Sequence, residues 1–266
     1  MALAFPFLDQ CRSRLDRLAA EADAGALDPA IDLLVGALDA GGVLRAFGTG
    51  HSQAFVMELA GRAGGLIPAG GIALRDVVLH GSRSVEELAG STLERDPSVV
   101  DELFEITPMN PADVVLIASN SGVNGSIVGF ALRARELGHP VIAVTSLEHT
   151  RAVEPKHPSG LRLSEIADLV IDNLAPYGDT TLDANVGGVG IGAVSSITAA
   201  FIAQLLTMGV AERIAARGET PPIYLSANIP EGDAHNSVLE ERYAPLLGRA
   251  GNTTHPTQKG RTSHGT

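Results

Sequence analysis

At 266 residues, 45% of them hydrophobic, the chain can bury one substantial core, which favours a single α/β domain with helical additions over two domains. Nineteen Lys and Arg against 31 Asp and Glu give a net charge of −12, a field that repels nucleic acid and anionic membrane surfaces, so neither is expected as a partner. Any phosphate must then be held by backbone N–H groups and hydroxyls rather than by a basic patch. Cys11 is the single cysteine, which rules out an internal disulfide and fits a reducing, cytoplasmic compartment. The opening MALAFPFLDQ has no basic residue ahead of its apolar run and no small-residue cleavage pattern, so it does not read as a signal peptide.

Phe7 to Ala24 carries a helical stripe of Phe7, Leu8, Cys11, Leu15, Leu18 and Ala19. Asp28 as N-cap and Pro29 as first helical residue start a second helix that Gly41 stops. Val43, Leu44, Ala46 and Phe47 then read as a strand that breaks at Gly48-Thr49-Gly50-His51-Ser52 into a helix. Ser52 is expected at the helix start, where its hydroxyl and the free N–H groups of the first turn meet an anion. Glu58 and Arg62, four apart, share a helix face in this reading, and Phe55, Met57 and Leu59 supply apolar contacts. A dinucleotide fingerprint would need a third glycine where Gln53 stands, so NAD is disfavoured and no cofactor is expected.

A second strand is predicted within Gly64 to Gly71. From Leu74 to Asn110 an acidic helical segment follows, mostly solvated surface; its His80 and Glu94 face a site if the segment folds over it as a lid. A third strand, Val114 to Ala118, runs into Ser119-Asn120-Ser121-Gly122-Val123-Asn124-Gly125-Ser126, and a helix from about Ile127 to Leu137 follows. Short hydroxyl and amide side chains at a helix mouth suit a phosphate, because it must approach the backbone closely. Two such turns at the carboxyl ends of two strands strengthen that reading, since open parallel sheets bind ligands there.

Val141 to Thr145 and Asp168 to Asp172 supply the fourth and fifth strands. The uncharged run from Val186 to Val210 is long enough to span a membrane, but its glycines, Ser195, Ser196, Thr198 and Gln204 suit close packing in a protein interior better. Ile223 to Asn228 reads as extended, and Asp233 to Asn236 as a turn entering a last helix from Ser237 to Leu247. From Gly251 the chain has no apolar residues and is expected to be disordered, which discounts His255 and His264. No metal-ligand spacing is visible, so no metal is expected.

Gly48-Thr49-Gly50-His51-Ser52, then Glu58-Leu59-Ala60-Gly61-Arg62, then Ser119-Asn120-Ser121-Gly122, resembles the SIS, or sugar isomerase, domain family over about residues 40–216. The resemblance implies a flavodoxin-like, five-stranded parallel sheet flanked by helices, which binds phosphorylated sugars and works as a homodimer or homotetramer. It divides the chain into N-terminal helices (1–40), the sugar-phosphate domain (41–216), a segment completing the site (217–248) and a tail (249–266). The phosphate maps onto Ser119, Ser121 and Gly122, with Asn120 and Asn124 beside them and Gly50 and Ser52 on the first turn. Many relatives carry threonine where Asn124 stands. Glu58 matches the catalytic base of phosphoheptose isomerases, although the link from Ser52 to Glu58 is shorter here than in those enzymes. His235 fills the place of a C-terminal histidine that several SIS enzymes bring in, often from a neighbouring subunit, and His51 is the second choice for opening the sugar ring. A proton taken from carbon 2 of an amino-sugar 6-phosphate then leads to elimination of water, with aldose–ketose isomerisation as the alternative and a non-catalytic sugar-phosphate sensor as the competing class.

Overall fold

The computed structural model describes residues 2–184 and 187–248. Strands β1 (Leu44–Gly48), β2 (Ala69–Ile72), β3 (Val114–Ala118), β4 (Val141–Thr145) and β5 (Leu169–Asp172) form one parallel sheet in the order β2-β1-β3-β4-β5. Leu44 of β1 lies opposite both Ala69 and Val114, so β1 is paired on both sides, and β3 is the central strand. β1, β3 and β4 are buried throughout, as parallel strands covered on both faces must be, and this is why they read as continuous apolar runs. The third and fourth strands have their expected bounds.

Alternation along each strand divides the core in two. Leu44, Ala46, Leu116 and Val144 face one layer, built from α1 (Ala4–Asp23), α2 (Asp28–Asp39), α3 (Gln53–Leu59) and α10 (Ser195–Ala215). Phe47, Val115, Ile117 and Ala143 face the other. That second layer holds α4 (Asp76–Leu79), α5 (Thr92–Arg95), α6 (Val99–Ile106), α7 (Gly125–Glu136) and α9 (Leu163–Ile166). Phe130 of α7 stacks on Phe47, ring centroids 4.3 Å apart. A short helix α8 (Leu147–Ala152) follows β4, a two-stranded ribbon of β6 (Leu182–Asp183) and β7 (Gly190–Ile191) precedes α10, and α11 (Gly232–Tyr243) closes the described chain. α10 is, among the described residues, the helix long and apolar enough to cross a bilayer, yet Thr198, Ala199, Ile202, Leu206 and Val210 are buried in the first layer.

Several local expectations are corrected. The second strand begins at Ala69, because Leu66 and Ile67 pair instead with the segment after α10, Ile67 N–H donating to the Pro222 carbonyl at 2.8 Å. Asp233 to Asn236 are helical rather than a turn; Asn236 is held there by both hydrogen bonds of its side-chain amide, to the N–H and carbonyl of Leu225. α3 ends at Leu59, so Arg62 lies beyond the helix, and Met57 is 70% exposed rather than packed. The expected tail, His255, His264 and the first residue of the uncharged run, Val186, fall outside the described residues.

At the amino ends of the strands Arg45 of β1 is 2% exposed and pairs with Asp113, Nε to Oδ2 at 2.9 Å. Its remaining donors reach the carbonyls of Pro108, Leu246 and Leu247. Asp113 also accepts the N–H groups of Val43 and Asn110. The ion pair is thus fully hydrogen-bonded, the condition under which buried charge is tolerated, and it fastens the end of the described chain beneath the sheet.

Candidate functional site

The order in which strands are added reverses between β1 and β3, since β2 is added on one side of β1 and β3 on the other. In such sheets the crevice outside the carboxyl ends of these two strands is the natural ligand site. Both serine turns emerge there. A narrow cleft is lined by His51, Ser52 and Phe55 from the first turn and α3, by Ser119 and Asn120 from the second turn, by Asn173 after β5, and by Ser195 and Ser196 at the start of α10.

The first turn is a 3-10 turn, Gly50–Ser52, running directly into α3. Ser52 has helical backbone angles and no capping hydrogen bond from its side chain, so it is not the cap expected, and its hydroxyl remains available to the cleft. Gly48 is required: a Cβ there would meet the Ser52 carbonyl oxygen at 2.8 Å and that of Ala118 at 3.2 Å, so a side chain would push the two turns apart.

In the second turn Ser119 Oγ accepts the Gly122 N–H at 3.1 Å, which folds the turn back on itself. Asn173 Nδ2 donates to Asn120 Oδ1 at 3.1 Å, and Thr145 and Ser146 bond the Asn120 carbonyl. The turn is therefore positioned before any ligand arrives. Ser121 and Gly122 sit further along, where Leu163 N–H donates to the Gly122 carbonyl, and neither lines the cleft directly. Asn124 begins α7, but its amide Nδ2 donates to Glu94 Oε1 at 2.5 Å and is already engaged.

Sequence reading missed the contribution of α10. Its first N–H groups do not face an anion freely: Asp179, a non-glycine residue at φ +58°, accepts Val194 N–H at 3.2 Å, Ser195 N–H at 2.8 Å and Ser195 Oγ–H at 2.6 Å. This carboxylate neutralises the start of α10. The missed signal was an aspartate ahead of a serine pair opening an apolar helix.

The structure brings together Gly50, His51, Ser52, Ser119 and Asn120. It does not bring Glu58 or His235 to them within one protomer. α3 runs antiparallel to β1, so Glu58 near its end lies towards the amino ends of the strands, where Gln204 Nε2 donates to it at 2.7 Å and Arg62 pairs with it. His235 Nε2 donates to the Ile223 carbonyl at 2.9 Å, and Ile223 bridges Leu66 just ahead of β2, at that same end. His80 is exposed at the end of α4.

A parallel sheet of this order with two hydroxyl-bearing turns at its switch point defines an α/β protein with a polar cleft at the carboxyl ends of its strands. The chain belongs to the SIS domain family, whose model matches residues 6–146. It is 35% identical over 210 residues to a UPF0309 protein of Listeria monocytogenes serotype 4b, covering 78% of this chain and 83% of that one. A UPF0309 protein of Halalkalibacterium halodurans is 32% identical over 240 residues, 89% of this chain and 97% of the relative. Among solved structures, a phosphoheptose isomerase from Francisella tularensis is 19% identical with a TM-score of 0.44, covering 77% of this chain and 98% of that one. The Vibrio vulnificus NanR protein complexed with ManNAc-6P is 15% identical with a TM-score of 0.41, over 90% of this chain and 69% of that one.

Proposed function

We propose that the protein is a sugar-phosphate enzyme that removes the proton on carbon 2 of an amino-sugar 6-phosphate and eliminates water. The observation that carries this reading is the convergence of Ser52, Ser119, Asn120 and Ser196 on one cleft. Hydroxyls, a fixed amide and helix N–H groups are the donors an anion needs in a protein of net charge −12. The phosphate is held at the second turn and the sugar extends towards the first. His51 lines the cleft whereas His235 does not, which supports His51 as the group that moves a proton between the ring oxygen and the anomeric hydroxyl.

Elimination needs a base at carbon 2 and a proton donor for the hydroxyl leaving carbon 3. An acylated nitrogen on carbon 2 disfavours a ketose product, which favours water loss over isomerisation for such a substrate. Glu58 and His235 reach a cleft only from a neighbouring copy, so in this reading the protein works as a homodimer or homotetramer and one copy supplies the proton donor to another. Met57, beside Glu58, and Val238, on the helix of His235, are 70% and 69% exposed, which supports a contact on that side. The sensor reading is favoured by the same separation: a protomer that never meets its copy binds without turning over.

The test is incubation with N-acetylglucosamine 6-phosphate, followed by mass spectrometry and NMR, with calorimetry on the same mixture. Heat of binding with a dehydrated product is expected. Binding with a ketose product moves the reaction to isomerisation, binding without product moves it to the sensor class, and no binding at all removes the proposal.

A further inference from the structure

The acidic segment between β2 and β3 does fold over the turns, and one of its carboxylates is set apart from the rest. Arg83 gathers three of them: Glu87 at 3.0 Å, Asp96 at 3.5 Å and Glu102 at 2.5 Å. The hydrogen bonds it donates to Glu102 and Glu87 hold its guanidinium above its ordinary pKa. Glu94 belongs to no such cluster; among the described residues it has no ion pair with a cation. Its Oε1 accepts the Asn124 amide at the second turn at 2.5 Å, and its Oε2 lies 3.9 Å from the point where a Cβ on Gly50 of the first turn would stand. A single half-buried carboxylate therefore lies against both turns, beside the residues that line the narrow cleft and not among them.

Its backbone is fixed as firmly as its head group. Ser126 Oγ–H donates to the Glu94 carbonyl at 2.8 Å. The next residue presses on α7: a Cβ at Gly125 would meet the Arg95 carbonyl oxygen at 2.2 Å, so only glycine permits the approach. Asn124 Oδ1 is buried without a partner among the described residues, while its Nδ2 is engaged by Glu94.

From this geometry we infer that Glu94, and not Glu58, is the base that takes the carbon-2 proton, with Asn124 as its positioning residue. The inference rests on the sugar-phosphate reading of the cleft. With the phosphate at the second turn and the sugar pointing towards Gly50, the reacting carbons pass along the carboxylate. Glu94 accepts the proton of carbon 2. The electron pair of that C–H bond becomes the carbon 1–carbon 2 double bond, and the carbonyl pair moves to oxygen 1, giving an enediol-type anion and a neutral Glu94. The proton on Glu94 exchanges with solvent deuterium, and delivery of that deuteron to carbon 2 restores the substrate labelled there, so the step is visible without net turnover.

The experiment compares wild type, Glu94→Gln, Glu94→Asp and Glu58→Gln in deuterium oxide with N-acetylglucosamine 6-phosphate, following exchange at carbon 2 by proton NMR and binding by calorimetry. Glu94→Gln keeps the hydrogen bond to Asn124 in flipped form and the side-chain volume, so the turn is preserved. Expected for Glu94→Gln are binding within a few-fold of wild type and exchange reduced at least about 100-fold, part of it restored in Glu94→Asp; Glu58→Gln, which removes a proton donor and not the base, is expected to retain exchange while losing the dehydrated product. Wild-type exchange in Glu94→Gln alongside normal binding overturns the inference and leaves the site reading standing. No binding by the wild-type protein overturns the site reading, and the inference with it.

Discussion

Gly48 and Gly125 show how much of the site depends on hydrogen atoms where side chains would be. At Gly48 the carbonyl oxygens of Ser52 and Ala118 lie so close that an added methyl displaces the first turn from the second. Gly48→Ala is expected to cost about 1–3 kcal/mol of stability through this overpacking and to weaken sugar-phosphate binding more than that figure alone would suggest, because Ser52 is moved. Denaturant unfolding and calorimetry on the same variant separate the two effects. These positions were only half legible in the sequence. Gly48 stands in a strand-turn-helix pattern that announces itself, while Gly125 reads as an ordinary helix start until Arg95, from a different element, is seen against it. Glu94 was legible only conditionally, since its partner Asn124 lies on another turn and no local spacing joins them.

At the scale of elements, the segment that leaves β5 is braced by α8. His149 of that helix accepts the Gly178 N–H at Nδ1, 3.2 Å away, and its ring meets that of Tyr177. Gly178 adjoins Asp179, which caps α10 at the cleft. Burial is the largest influence on His149 and lowers its pKa, with Asp179 and Glu148 opposing it in part. The neutral form is thus favoured in the folded chain, and the unfolded chain takes up the proton more readily. The associated stability is present above the ordinary histidine pKa of about 6.5 and is lost as pH falls through the lower folded value. Unfolding midpoints are expected to drop as pH falls below about 6.5, and His149→Gln is expected to flatten that part of the profile. If the variant keeps the full pH dependence, another group is responsible. The brace itself was not visible beforehand, because α8 is only six residues long and its partners lie beyond β5.

Across the whole molecule, the third and fourth strands and both turns followed from local pattern, because parallel strands buried on two faces are apolar throughout and the turns that end them are not, while the parallel sheet itself came from the family resemblance and its strand order was not read beforehand. What escaped was every contact between distant parts of the chain. Leu66 and Ile67 look like strand residues and do form strand-like bonds, but with Pro222 to Tyr224. Arg45, a lone cation in an apolar strand, gave no hint that Asp113 and the carbonyls at Leu246 and Leu247 would surround it. Arg45→Met leaves Asp113 charged and buried, so a loss of about 3–5 kcal/mol is expected, measured by denaturant unfolding, together with earlier proteolysis within α11. Retention of full stability would mean that the pair is dispensable. The same fastening bears on how the molecule comes into being. Two of the acceptors that satisfy a guanidinium in the first strand are among the last groups of the described chain to leave the ribosome. A nascent chain that has already made all five strands still holds that charge without its full shell, and the sheet closes over it only when synthesis has passed Leu247.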